Sequence, residues 1–183
     1  MTFKLETTRL YLRMFELSDA AAVQQLAGRP EVARTTLAIP HPYPDGAAEK
    51  WIEAVRQSSQ SGDHYAFAMI TKDEGALIGN MSMDVARKHN RAELAYWVGV
   101  PYWGRGYATE AAGRIAQFGF DELGLNRIHA AAMTNNPASS KVMVKIGMKP
   151  EGVYRQHVLK WGSYEDLALY GMVRSEYLER YKP

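Results

Sequence analysis

Hydrophobic positions recur at helical spacing after residue 106 of the chain. Charged and amide side chains fall largely on the opposite side of this predicted helix. The residues of the apolar side are Ala108, Ala111, Ala112, Ile115, Ala116 and Gly119. A face of alanine and glycine lets a helix axis lie close to a sheet, so we expect this helix to pack directly on strands.

Hydrophobic runs and turn signals predict four strands around this helix. Residues 65–70 and 77–85 are joined by a KDEG turn and predict an antiparallel hairpin, and residues 92–100 predict a third strand. Within the third strand, odd-numbered residues share one face and even-numbered residues the other. Arg127–Met133 follows the helix, and the length of the crossover predicts that it runs parallel to residues 92–100.

Weaker signals extend this pattern towards the amino end of the chain. A further strand is predicted at residues 9–14, and two shorter helices at residues 20–27 and 51–58. Gly28 and Pro30 are expected to end the first of these helices. Residues 36–46 hold three prolines and are expected to form an irregular segment.

The composition limits the domain count and the classes of partner. With 183 residues and 46% hydrophobic content, we expect one domain over residues 1–183. The net charge of +2 gives no electrostatic case for nucleic acid binding. Without cysteines, a signal peptide or a long apolar run, we expect a cytoplasmic protein with no membrane partner. The five histidines form no pair at helical spacing, so no metal site is predicted.

A turn with two glycines leads into the central helix. Gly104 and Gly106 bracket Arg105, and glycine readily adopts the positive φ that lets a bulky anion approach the backbone. The first N–H groups of a helix have no partners within it and carry the positive end of its dipole. The backbone of residues 106–109 is therefore a candidate phosphate site. An ordinary strand-to-helix turn would use the same glycines.

A second segment has strong helix-boundary signals. Asn136 suits the N-cap, Pro137 the first helical position, and Gly147 the left-handed end of the helix. Helical spacing places Ser139 at the amino end on the side that faces the sheet. Its hydroxyl is either a functional group at the site or a support for the cap.

Together the two segments resemble the acetyl-CoA motifs of the GCN5-related N-acetyltransferases, the GNAT family. The window W-G-R-G-Y-A at residues 103–108 is similar to the family pattern Q/R-x-x-G-x-G/A except at its first position. WGRGYATEA resembles the RimJ/RimL branch, which acetylates protein amino termini. Asn136 and Ser139, followed by Gly147 with Met148 in place of an aromatic residue, resemble the second motif.

The resemblance implies a fold and a cosubstrate. It covers nearly the whole chain, with carboxy-terminal strands at residues 148–158 and 166–173 around a KWGSY turn. The implied fold is α/β (α+β), with a mixed, mostly antiparallel sheet of about seven strands, a splayed parallel pair and flanking helices. Acetyl-CoA is the implied cosubstrate, with no metal, and strand amides near the splayed pair would contact its pantetheine and acetyl oxygen. The implied cofactor-binding residues are Val98, Val100, Gly104, Arg105, Gly106, Tyr107, Ala108, Thr109, Asn136 and Lys141.

Acetyl transfer from a thioester to an amine needs oxyanion donors, a route for the amine proton and an acid for the leaving thiolate. Glu93 is the candidate base, directly or through water, and a solvated edge carboxylate is an equally good interpretation of it. Ser139 is the candidate acid. Tyr154, Tyr164 or Tyr170 would replace it if Ser139 only supports the cap.

The sequence leaves the acceptor open among three hypotheses. The resemblance favours transfer to a protein or peptide amino terminus, with ribosomal proteins as the precedent. The alternatives are a small amine, such as a polyamine, an amino acid or an aminoglycoside, and a non-catalytic acyl-CoA-binding module. Family members are often dimers, so a homodimer is a further expectation.

Overall fold

The structure, a computed structural model, describes residues 3–181 of the chain. Its strands are β1 (Lys4–Glu6), β2 (Leu10–Met14), β3 (His64–Thr71), β4 (Leu77–Ala86), β5 (Arg91–Val98), β6 (Arg127–Met133), β7 (Lys149–Lys160) and β8 (Ser163–Val173). They form one eight-stranded sheet in the order β1-β2-β3-β4-β5-β6-β8-β7. Neighbouring strands are antiparallel except β5 and β6, which are parallel.

Six α-helices within the described range cover the two faces of this sheet. They are α1 (Ala20–Ala27), α2 (Pro30–Arg34), α3 (Ala47–Ser61), α4 (Tyr107–Gln117), α5 (Pro137–Lys145) and α6 (Arg174–Tyr181). Helices α1, α2 and α3 pack with Ala66, Ala68 and Trp97 on one face. Helices α4, α5 and α6 pack with Phe67 and Met81 on the other. None of these helices is long and apolar enough to cross a membrane.

The parallel pair at the centre of the sheet separates after a few residues. Strands β5 and β6 are paired only over residues 91–93 and 127–129. Beyond that point β5 remains paired with β4 as far as Val98, and β6 remains paired with β8 as far as Met133. Residues 94–98 and 130–133 therefore border a gap through the sheet.

The alanine face of α4 packs directly on the sheet, as predicted. Ala111 and Ile115 are fully buried. A π-helical turn at Phe118–Glu122 continues the helix and brings its backbone against β6. A Cβ atom added at Gly119 would lie only 2.8 Å from Ile128 Cδ1. This close contact fixes the position of α4, and with it the position of the glycine turn at its amino end.

The predicted mixed sheet with a separated parallel pair is confirmed, with eight strands in place of about seven. The additional strand is β1, whose alternation of polar and apolar residues covers only three positions and is too short to predict a strand. The third strand was predicted to reach Val100, but β5 ends at Val98 and Val100–Tyr102 form a 3-10 turn. Pro101 accounts for this ending because it has no N–H to continue the ladder.

The region after α1 also differs from the prediction. Pro30 was expected to terminate a helix together with Gly28, but Pro30 begins α2 and only Gly28 ends α1. Proline suits the first turn of a helix because the N–H that it lacks would have no helical partner there. The short α2 carries the chain to residues 35–39, which form one wall of the cleft described below.

Two glycines of the central helical segment should respond oppositely to alanine. Gly119→Ala should lower the free energy of unfolding by about 1–3 kcal/mol, because the new methyl group would meet Ile128 and Met83. Gly113→Ala should raise it by about 0.5–1 kcal/mol, because the nearest atom is Ile146 Cγ2 at 4.0 Å and alanine favours a helix. Urea unfolding of both variants is the measurement, and a stabilised Gly119→Ala would contradict the packing.

Candidate active site

A cleft of about 720 Å³ passes through the gap between β5 and β6. On one face of the sheet it is bounded by the turn before α4 and by α5. On the other face it is bounded by residues 35–39, with Val32 and Trp51 from α2 and α3. Both sides of β5 line it, because Leu94, Tyr96 and Val98 alternate with Glu93, Ala95 and Trp97. The cleft therefore connects the two faces of the sheet.

The backbone of Val98 is directed into the gap. The Gly99 N–H donates to the Ile78 carbonyl on β4 at 2.8 Å. Backbone groups alternate in direction along an antiparallel strand, so the N–H and carbonyl of Val98 point away from β4. The Trp103 indole Nε1 donates to that carbonyl at 2.6 Å, which agrees with this direction. The Val98 amide thus faces the gap, and its contact with the cofactor, which the resemblance implies, stays a prediction.

The glycine turn opens onto the same cleft. Gly104 and Gly106 have φ angles of +73° and +82°, the positive values expected of the two glycines. Both residues line the cleft, together with Tyr107, Ala108 and Thr109 at the amino end of α4. Residue 105 is not among the lining residues, and its guanidinium lies 5.8 Å from the Tyr102 ring centroid. A cofactor contact of Arg105 stays a prediction.

Arg9, just before β2, braces this turn from the amino-terminal part of the chain. Its Nε donates to Glu110 Oε2 at 2.7 Å, and Thr7 Oγ1 donates to Glu110 Oε1 at 2.6 Å. Nη1 of Arg9 donates to the Arg105 carbonyl at 2.9 Å, and the Arg9 guanidinium lies over the Tyr107 ring. Burial raises the pKa of Glu110, but the hydrogen bonds from Thr7 and Arg9 outweigh it and lower the pKa overall. Local sequence patterns gave no sign of this brace.

The Ser139 hydroxyl meets a tyrosine hydroxyl at the gap. The Asn136 side-chain oxygen accepts from the Ser139 N–H at 3.3 Å, so Asn136 caps α5. The Tyr96 hydroxyl donates to Ser139 Oγ at 2.9 Å, and all three residues line the cleft. Burial raises the pKa of Tyr96, so its phenol stays protonated near neutral pH. A pair of hydroxyl groups therefore faces the space between the two strands.

The tyrosines predicted as alternatives to Ser139 lie elsewhere. Tyr154 and Tyr164 are 53% and 67% exposed on the hairpin of β7 and β8, and Tyr170 packs against the apolar core. None of the three lines the cleft. Tyr96 is the tyrosine that contacts Ser139, and the sequence signal for it was its even-numbered position on the third strand.

Acidic side chains line the cleft on the face covered by α3. Glu93 is exposed and lies opposite Asp84 on β4 and His129 on β6. His64 Nδ1 lies 2.5 Å from Asp84 Oδ1. Burial lowers the pKa of His129, while the charge of Glu93 opposes that effect. An incoming amine would thus meet two carboxylates at this end of the cleft.

The remaining predicted contacts are Lys141 and Val100. Lys141 is exposed on α5 and lines the cleft on the same face as α4. Val100 does not line the cleft, because the 3-10 turn takes it out of the strand and packs it in the apolar cluster with Trp97. A cofactor contact of the Val100 amide stays a prediction.

Two other observations concern the rest of the described chain. A more open concavity of about 790 Å³ lies at the irregular pairing of β7 and β8, and none of the motif residues lines it. Across residues 3–181, no group of three or more histidine, aspartate or glutamate side chains is arranged to hold a metal ion.

Comparison with known proteins decides the family. A model described as the acetyltransferase (GNAT) domain matches residues 9–149. The chain belongs to the GNAT family. It is an acetyl-CoA-dependent N-acetyltransferase. The uncharacterized N-acetyltransferase p20 of Bacillus licheniformis is 31% identical over 175 residues, which cover 94% of this chain and 97% of that protein.

Other similar proteins carry names with different acceptors. The L-amino acid N-acetyltransferase AaaT of Escherichia coli is 26% identical over 162 residues, covering 87% of this chain and 94% of that protein. The fold also resembles RimL, a ribosomal L7/L12 alpha-N-protein acetyltransferase solved with coenzyme A. The TM-score is 0.86 at 18% identity, over 93% of this chain and 98% of that chain. The family is thus established, and the acceptor is not.

A branched side chain at Gly106 should block the cofactor. Gly106→Val would strain a residue at φ +82° and place carbon atoms beside the Arg9 guanidinium and the first amides of α4. We expect CoA affinity to fall at least about tenfold, measured by calorimetry on folded protein. Gly124→Val is the matched control, because Gly124 has φ +67° but lies outside the cleft. Equal CoA affinities of the two variants would contradict the assignment of the turn.

Proposed function

We propose that residues 1–183 form one acetyltransferase domain that transfers acetyl from acetyl-CoA directly to the α-amine of a peptide or protein amino terminus. The observation that carries the proposal is the continuous cleft through the sheet. Its glycine turn and helix amino end lie on one face, and its carboxylates and apolar wall lie on the other. Two substrates can therefore enter from opposite faces and meet beside Tyr96 and Ser139.

The cofactor occupies the face covered by α4 and α5. The amides at the amino end of α4 bind the pyrophosphate, and the exposed Lys141 adds a positive charge near it. The pantetheine lies along the gap, where the Val98 N–H donates a hydrogen bond to a cofactor oxygen. The thioester then lies between β5 and α5, within reach of the Ser139 hydroxyl.

The transfer follows from this arrangement. The neutral amine attacks the thioester carbonyl, a backbone N–H at the gap stabilises the negative charge on oxygen, and the carbon–sulfur bond breaks. Ser139 donates its proton to the leaving thiolate and recovers one from Tyr96, whose raised pKa keeps it protonated beforehand. Glu93 accepts the amine proton, directly or through water. Alignment of two substrates in one cleft removes the need for a covalent intermediate.

The acceptor side suits an amine on an apolar group. Val32, Leu37, Ile39, Trp51 and Trp97 supply apolar walls, and their side chains would bury the first side chain of a peptide. The carboxylates at the entrance attract an ammonium group before it loses its proton. A free amino acid fits less well, because its carboxylate would approach the same acidic side chains.

A polyamine is the second candidate acceptor. The two carboxylates, Asp84 and Glu93, are the observation that favours it, because a cationic chain could pair with both. Initial rates with peptides and polyamines as acceptors distinguish the two candidates.

Loss of the Ser139 hydroxyl should slow the chemical step. Ser139→Ala should lower kcat about 10²- to 10⁴-fold and leave CoA affinity nearly unchanged, because the cap belongs to Asn136. Tyr96→Phe should give a smaller loss, because Ser139 remains beside the sulfur. Ser140→Ala removes the neighbouring hydroxyl of α5 outside the cleft and serves as control. An unchanged kcat in Ser139→Ala would contradict the assigned role.

The pH dependence should report the acceptor amine. An α-amine has a pKa of about 8 and a lysine about 10.4, so far more of the α-amine is neutral at pH 7. We expect kcat/KM for a peptide with a free amino terminus to rise up to about pH 8. We expect little acetylation of the same peptide when its amino terminus is blocked and only a lysine is free. Equal rates on the two peptides at pH 7 would contradict the proposed acceptor class.

A further inference from the structure

A buried amide side chain on β4 has no visible structural role. Asn80 is only 5% exposed, and its neighbours across the sheet are Ala68 and Trp97. Both neighbours belong to the apolar cluster beneath α1, α2 and α3. Oδ1 of Asn80 has no hydrogen-bond partner among the described residues. A polar oxygen has thus been placed in apolar surroundings without compensation.

Such a placement is unfavourable for folding. A buried polar atom without a partner loses its hydration and gains nothing in return. Ser82, two residues further along the same face of β4, does have a partner, because its Oγ donates to the Ala95 carbonyl at 3.1 Å. An apolar side chain at position 80 would match Ala68 and Trp97 better. The unpaired oxygen of Asn80 is consistent with a hydrogen-bond partner supplied by a ligand.

The ligand would come from the acceptor side of the cleft. Asn80 lines the cleft on the face shared with Ser82, Asp84 and Trp51. Asn80 is paired with Trp97 on β5. The chain neighbours of Trp97 are Tyr96 and Val98, which border the gap. Paired residues in a sheet are about 5 Å apart. A group that reaches Asn80 therefore lies only a few bonds from an amine that reacts at the gap.

The chemistry of the side chain indicates the complementary group. A primary amide has one acceptor oxygen and one donor NH₂. Rotation of the amide group by 180° exchanges the positions of these two groups and hardly changes the shape of the side chain. Another amide complements both. A polyamine in its charged form offers only donors, and a free amino acid places a carboxylate near Asp84 and Glu93. The first peptide bond of an amino terminus lies at the required short distance from the amine.

We propose that Asn80 is a specificity residue that binds the amide following the acceptor amine. This inference rests on the proposed function and specifies the part of the acceptor that the cleft recognises. It favours peptide amino termini and amino acid amides over polyamines, alkylamines and free amino acids. Asn80 takes no part in proton transfer, so its effect depends on whether the acceptor carries an amide.

The test compares two acceptors of similar size, alaninamide and 2-aminobutane, which lacks the amide. Asn80→Leu should lower kcat/KM for alaninamide about 10- to 100-fold and change that for 2-aminobutane less than about threefold. Each variant is compared with the natural protein on the same acceptor, so the different amine pKa values cancel. The smaller Asn80→Ala should show the same selectivity. The Tm of Asn80→Leu should be equal to or above that of the natural protein, because a buried unpaired amide is removed.

The outcomes separate this inference from the function on which it rests. Equal losses on both acceptors, or no loss on alaninamide, would overturn the role of Asn80 and leave acetyl transfer intact. If the natural protein acetylates 2-aminobutane but not alaninamide, the role of Asn80 is likewise overturned and acetyl transfer is left intact. If neither these amines nor a short peptide is acetylated while CoA binds, the proposed function fails and the inference fails with it.

Discussion

The separation of β5 from β6 is the constraint on which the site depends. The two strands are paired over three residues, and each then continues along its other neighbour. Backbone amides that border the gap lack the partners that a continuous sheet would supply, and buried backbone groups need partners. An extended ligand with amide groups of its own can supply them. The pantetheine arm of CoA is a ligand of this kind.

The pleat of β5 then divides the chemistry between two faces. Tyr96 and Val98 are directed to the face where α4 and α5 begin, and Glu93 and Trp97 to the face of α3. Alternation along one strand thus places Tyr96, the proposed proton source for Ser139, and Glu93, the proposed acceptor of the amine proton, on opposite sides of the gap. A shift of register by one residue would exchange the two faces, so the proposed arrangement depends on the pairing of β5 with β4.

The parts of the molecule that were predictable from sequence depend on local physics. The glycine turn, α4, the Asn136 cap and β6 each follow from spacing, capping or turn conformation within about twelve residues. The positions of Gly104 and Gly106 in the cleft followed from the same local signals. These elements also carry the motifs that resemble the GNAT family.

The parts that were missed depend on contacts between distant residues. The contact of Tyr96 with Ser139 joins residues 43 positions apart, and the brace from Arg9 to Glu110 joins residues 101 apart. No periodicity reports such a contact before the strand register is known. The end of the third strand, predicted at Val100, differs for a local reason, because Pro101 ends the strand pairing earlier. Asn80 resembled any polar strand residue until its burial was known.

The most direct test of this account is the structure of the protein with a bisubstrate analogue, in which CoA sulfur is joined through an acetyl linker to the α-amine of a short peptide. We predict that the pantetheine lies in the gap beside Val98 and that the sulfur lies within hydrogen-bond distance of the Ser139 hydroxyl. The peptide should lie on the face covered by α3, beside Glu93. A complex with both halves of the analogue on one face of the sheet, or with the gap left empty, would contradict it.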